Sequence, residues 1–95
     1  MIRYNLNNAI IHYLKKHHVD RIGIFGSYAR NQNSKDSDID LLIRFKKTPT
    51  LLQLVKIKRE LSEIIGIKVD IVTEPSLRDK VLKKNISQDL QIIFQ

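Results

Sequence analysis

Two aspartates, Asp38 and Asp40, stand one residue apart where a polar stretch gives way to alternating apolar positions, and eleven residues before Asp38 the pair Gly26-Ser27 closes a short apolar run. On an extended strand every second side chain returns to the same face, so the two carboxylates would share a face with their Cα atoms roughly 6.6 Å apart. Carboxylates so spaced can grip a pair of metal ions about 3.5 to 4 Å apart, the arrangement used in phosphoryl and nucleotidyl transfer. A third aspartate, Asp70, falls inside the segment Ile67 to Thr73, between Val69 and Ile71. A carboxylate among β-branched residues in a strand interior needs compensation. If this strand pairs with the Asp38 strand, neighbours about 4.8 Å apart bring Asp70 to the same site.

The Gly-Ser pair supplies different chemistry. Gly26 has no Cβ and lets backbone approach a ligand closely, while Ser27 offers a hydroxyl and N–H groups at the expected first turn of a short helix, Ser27 to Arg30. Such a turn is suited to hold phosphate. Arg30 is either a surface charge or a contact to a triphosphate, and Tyr28 either lies near a nucleotide or covers the turn.

The elements that must position these residues follow from periodicity. Leu6, Ala9, Ile10, Tyr13, Leu14 and His17 recur at helical spacing, which predicts an opening helix over 5–18. Ile22 to Phe25 is too short for a helix and is bounded by Gly26, as expected of a buried strand. From Asp38 to Phe45 the alternation puts Ile39, Leu41, Ile43 and Phe45 on one face and Asp38, Asp40, Leu42 and Arg44 on the other. Thr48-Pro49 reads as an N-cap with proline at the first helical position. Leu51, Leu54, Val55, Lys58, Leu61, Ile64 and Ile65 then form a stripe that ends at Gly66. Pro75-Ser76 opens a last helix to about Ser87, and Leu90, Ile92 and Phe94 mark a terminal edge strand. The expected fold is α/β (α+β), a small mixed sheet backed by helices in the order α-β-α(short)-β-α-β-α, in one domain over 1–95.

The pattern Gly26-Ser27-x-Ala29-Arg30, then Asp38-x-Asp40-Leu41-Leu42, then Asp70 on a following strand resembles the minimal nucleotidyltransferases of the DNA polymerase β-like superfamily, known as the MNT antitoxins of HEPN/MNT toxin–antitoxin pairs. The resemblance covers nearly the whole chain. It implies that the Gly-Ser turn binds ATP, that Asp38, Asp40 and Asp70 are catalytic and hold two Mg²⁺ ions, and that AMP passes to a tyrosine hydroxyl of a helical HEPN toxin, neutralising it. Family members often carry Gly after the Ala-Arg pair where this chain has Asn31, a residue that also tolerates a left-handed backbone. Two other readings keep the same residues: a non-catalytic antitoxin that occludes its toxin, and a small nucleic-acid-binding protein. A scaffold for occlusion has no use for three clustered carboxylates.

Composition narrows the partners. Seventeen basic against ten acidic residues give a net charge of +7, a field that attracts nucleoside triphosphates, nucleic acid or an acidic protein surface. The cations fall mainly in Lys46-Lys47, Lys56 to Arg59 and Arg78 to Lys84 without interleaved aromatic residues, a pattern of solvated helix faces rather than a base-stacking groove. His17 and His18 are adjacent, hence about 100° apart on a helix, and His12 has no ligand-spaced partner, so no histidine is assigned to the site. The chain has no cysteine, so it has neither a disulfide framework nor a thiolate metal site. With no apolar run of membrane-spanning length and no signal peptide, a cytoplasmic protein is expected.

Overall fold

The computed structural model describes residues 3–30, 37–74, 84, 86 and 88–95. Helix α1 (Arg3–Leu14) continues into a 3-10 turn (Lys15–His17), and His18 ends it in the left-handed region at φ 56°. Strand β1 (Val19–Phe25) follows, then β2 (Ile39–Phe45), helix α2 (Leu51–Ile65), β3 (Val69–Thr73) and β4 (Gln91–Phe94). The strands form one mixed sheet in the order β3-β2-β1-β4. β1 is antiparallel to β2 and β4, whereas β2 and β3 are parallel. Helix α2 is the crossover that a parallel neighbour requires.

The alternation in β2 is realised as expected. Ile39, Leu41, Ile43 and Phe45 are buried with Leu6, Ile10, Tyr13 and Leu14 of α1 and with Ile57, Leu61 and Ile65 of α2. The i, i+4, i+7, i+8 spacing of the four α1 residues gives that helix its one inward face. Leu42 is also buried, although it belongs to the Asp40 side of the strand.

Three expectations about the helices need correction. No short helix over Ser27 to Arg30 forms: the segment is a turn in which the Arg30 N–H donates to the Gly26 carbonyl at 3.2 Å. Helix α2 is capped by Thr50, not by Thr48-Pro49. The Thr50 hydroxyl accepts from the Gln53 N–H at 3.2 Å while the Gln53 side chain accepts from the Thr50 N–H at 2.8 Å, a reciprocal capping box. The inward stripe of α2 is also rotated from the expected one, with Ile57, Leu61 and Ile65 buried and Leu51, Val55 and Ile64 exposed. Gly66 does stop the helix, at φ 70° with its N–H donating to the Ser62 carbonyl.

The helix expected from Pro75 to Ser87 lies largely outside the described residues, although Lys84, Ile86, Gln88 and Asp89 have helical backbone. Among the described residues no helix is long and apolar enough to cross a membrane.

Candidate active site

β1 ends at Phe25, directly opposite Asp40 in the antiparallel ladder, and the same Asp40 is the partner of Asp70 in the parallel ladder on its other side. Three strands therefore meet at one row: the Gly26 turn, Asp40 and Asp70, with neighbouring strands about 4.8 Å apart. Asp38 lies just before β2, exposed, and the Ile39 N–H donating to the Lys68 carbonyl at 2.9 Å braces this entry to the strand.

Gly26 is required by geometry. Its φ of 75° is a conformation that L side chains rarely adopt, and an added Cβ would overlap the Asp40 carboxylate, 3.2 Å from its Cγ. The space a side chain would fill is taken by the aspartate. The absence of a Cβ at Gly26 thus serves Asp40 directly, a role beyond the ligand approach expected of it. Beyond Gly26, Ser27 is half-buried while Tyr28 and Ala29 are buried in the core, so the turn is anchored rather than loose. Tyr28 therefore covers the turn.

The turn is also fastened to the end of the chain. The Gln91 side-chain amide donates to the Ala29 carbonyl at 2.9 Å, and Arg30 pairs with Asp89 at 2.7 Å. Arg30 was expected to be either a surface charge or a triphosphate contact, and it stands exposed at this ion pair.

Electrostatics single out Asp40. Its carboxyl is held above the ordinary carboxylate range, first because it is half-buried and then because Asp70 and Asp38 repel a further negative charge, while Arg30 acts in the opposite sense. The three carboxylates thus share one field. Among the described residues, however, no three acidic or imidazole side chains converge as a set that could hold a metal ion. Asp70 is engaged elsewhere: Lys58 of α2 places its Nζ 3.3 Å from Asp70 Oδ1. Val69 packs toward the helices while Asp70 is exposed on the opposite face, so Lys58 reaches its partner around the outer side of β3, the last strand of the sheet among the described residues.

Lys58, like Leu51, Val55 and Ile64, was placed wrongly on the inward stripe of α2. Nothing local marks it, because its partner is set by the crossover that returns the chain to β3. The histidines stay apart from the site. His17 packs its ring 4.9 Å from that of Tyr13 and is held below its ordinary pKa mainly by burial, and Tyr13 donates to Glu60 at 2.7 Å.

The chemistry available at the row is that of oxygen donors beside an anchored Gly-Ser turn. Carboxylate oxygens suit a hard cation such as Mg²⁺, and a dication beside Asp40 would offset the negative charge of Asp70 and Asp38 that helps to raise its carboxyl.

Known proteins are similar to this chain in sequence and in fold. The sequence profile of the nucleotidyltransferase domain family matches residues 8–93. A Methanocaldococcus jannaschii protein named as a candidate protein adenylyltransferase is 44% identical over 85 residues, covering 85% of this chain and 91% of the relative. Protein adenylyltransferase MntA of Thermococcus cleftensis is 38% identical over 65 residues, 68% of this chain and 66% of its own length. In structure, the complex of a tri-AMPylated Shewanella oneidensis HEPN toxin with its MNT antitoxin contains a chain that superposes with a TM-score of 0.79 at 21% identity, over 98% of this chain and 72% of that one, which shows a shared fold.

Proposed function

This chain belongs to the nucleotidyltransferase domain family, and from that premise we propose that it is an antitoxin-type protein adenylyltransferase, acting in the cytoplasm, that moves AMP from ATP to a tyrosine hydroxyl of a HEPN-type toxin. The observation that carries the reading is the single row formed by the Gly26 turn, Asp40 and Asp70. The names of the relatives, and the AMPylated toxin of the structural neighbour, support the direction of transfer.

In the proposed reaction the acceptor oxygen attacks the α-phosphorus in line. A new O–P bond forms, the bond from the α-phosphorus to the bridging oxygen breaks, and pyrophosphate leaves with the bonding pair. Gly26 and Ser27 present backbone N–H groups to the β- and γ-phosphates, at a turn that Tyr28 and Ala29 hold still. Asp38, Asp40 and Asp70 are the residues that would hold Mg²⁺, which supplies charge neutralisation and favours the ionised acceptor hydroxyl. Asp70, on the outermost of the three strands, would hold the ion that lowers the acceptor hydroxyl's pKa or take its proton directly. Arg30 contributes positive charge beside Asp40.

Occlusion without transfer is the competing reading, and the two separate in cells. When the HEPN partner is expressed to toxic levels, co-expressed parent protein should restore growth and Asp40→Asn should not. Equal rescue by Asp40→Asn would establish occlusion.

A further inference from the structure

Helix α2 is amphipathic in an unusual sense, because apolar side chains also line part of its outward side. Leu51 is 78% exposed, Leu52 83% and Val55 55%, and their spacing makes them neighbours on adjacent turns. Large apolar side chains clustered in water mark an interaction surface more often than isolated ones do. From Val55 a groove of about 520 Å³ continues between α2 and the start of β3, lined by Lys58, Arg59, Ser62, Lys68 and Val69, with Glu63 its single acidic residue. The groove runs along β3, the outermost strand among the described residues, and Lys58 connects it to Asp70.

We propose that the Leu51-Leu52-Val55 patch and the adjoining groove form the docking surface for the acceptor protein, which seats apolar anchors on the patch and an acidic rim against Lys58, Arg59 and Lys68, and so presents its hydroxyl at Asp70. The inference rests on the transferase reading and adds to it which side of the sheet the acceptor approaches. Charge decides among occupants. Among the described residues three cations, of which Lys58 already pairs with Asp70, line the groove with the one carboxylate of Glu63, and the whole chain carries +7, so a second copy of this chain would bring like charges together. Nucleic acid would satisfy the cations but leave Leu51 and Leu52 in water. An acidic protein face with apolar anchors satisfies both. Position agrees with charge, since Val55 to Lys58 is one helical turn and Lys58 is already in contact with Asp70.

The helix supplies its own control. Val55 and Ile64 are equally exposed at 55% and, nine residues apart, lie about 180° from one another around α2. Affinity for the purified HEPN-type partner is measured for parent, Leu52→Asp, Val55→Asp and Ile64→Asp, beside the thermal shift each gains from Mg²⁺-ATP and AMP transfer to the partner. Leu52→Asp and Val55→Asp should each weaken the complex by roughly tenfold or more, as expected for anchor residues. Transfer should fall with it, the Mg²⁺-ATP shift should stay at the parent value, and Ile64→Asp should bind as the parent does. Unchanged affinity in both patch variants would overturn the docking surface, as would equal weakening by Ile64→Asp. Binding of the parent to phosphatidylserine vesicles, lost in the patch variants while the protein complex persists, would reassign the patch to membrane. A parent complex that forms through the patch without any AMP transfer would leave the docking surface standing and remove the transferase reading, whereas no parent complex at all would remove both.

Discussion

Gly26 and Asp40 crowd each other: a Cβ on Gly26 would press into a carboxylate oxygen of Asp40 and lie 3.2 Å from its Cγ, so a side chain at residue 26 would force the carboxylate to shift. Gly26→Ala should therefore act twice. The left-handed backbone alone costs about 1 to 2 kcal/mol for an L side chain, and the overlap must also push Asp40 out of its row. Urea unfolding should show a loss of at least that size, together with loss of the stabilisation conferred by Mg²⁺-ATP. A variant that melts like the parent and keeps the ATP response would refute the coupling.

Asp40 should be a destabilising charge in the metal-free protein. Its carboxyl binds its proton more tightly in the fold than in the unfolded chain, so the ionised form is disfavoured by folding. The resulting penalty is full above the raised folded value, shrinks as pH falls toward the unfolded value near 3.9, and vanishes below both. Asp40→Asn should thus raise the metal-free melting temperature at pH 7 and lose that advantage under acid conditions. A lower melting temperature at pH 7 would show that the charge supports the fold.

Asp70 is expected to behave differently, because Lys58 already compensates it. Lys58→Met removes a competing cation and should tighten Mg²⁺ binding by roughly 1.4- to fivefold, the equivalent of the 0.2 to 1 kcal/mol typical of exposed pairs. Isothermal titration with Mg²⁺ in the absence of nucleotide measures it, and weaker binding in Lys58→Met would mean that the lysine organises Asp70 for the ion instead of competing with it.

The cap of α2 offers a test remote from the site. Thr50→Ala removes a reciprocal capping box and should cost about 1 kcal/mol in urea melts, whereas Thr48→Ala should be near neutral. The reverse ranking would restore the cap first expected from Thr48-Pro49.

That cap also shows what was legible in the sequence and what was not. Thr50 with Gln53 three residues later is a capping-box signature, but Thr48-Pro49 competes with it two residues upstream, and only the geometry of the turn decides between them. The α2 stripe was ambiguous for a related reason: Leu51, Leu52, Val55, Ile57 and Ile64 spread apolar character around much of the helix, so spacing alone did not fix which residues face inward. In β2 no such ambiguity exists. Alternation from Ile39 to Phe45 set both the strand and the face of Asp40, and an aspartate flanked by Val69 and Ile71 gave Asp70 the matching face of β3. What periodicity could not supply was long-range: the Asp40 carboxylate filling the space beside Gly26, the Lys58 contact around the β3 edge, and the Arg30–Asp89 pair that joins residues 59 apart.

The most direct test follows the phosphorus. Parent protein is incubated with the purified HEPN-type partner, Mg²⁺ and ATP labelled at the α-phosphate, and both proteins are then resolved by denaturing electrophoresis. The proposed function predicts label on the partner, pyrophosphate released in equal amount, and neither product with Asp40→Asn. Label that stays with nucleotide while the two proteins form an inhibited complex, or transfer by Asp40→Asn at the parent rate, would contradict it.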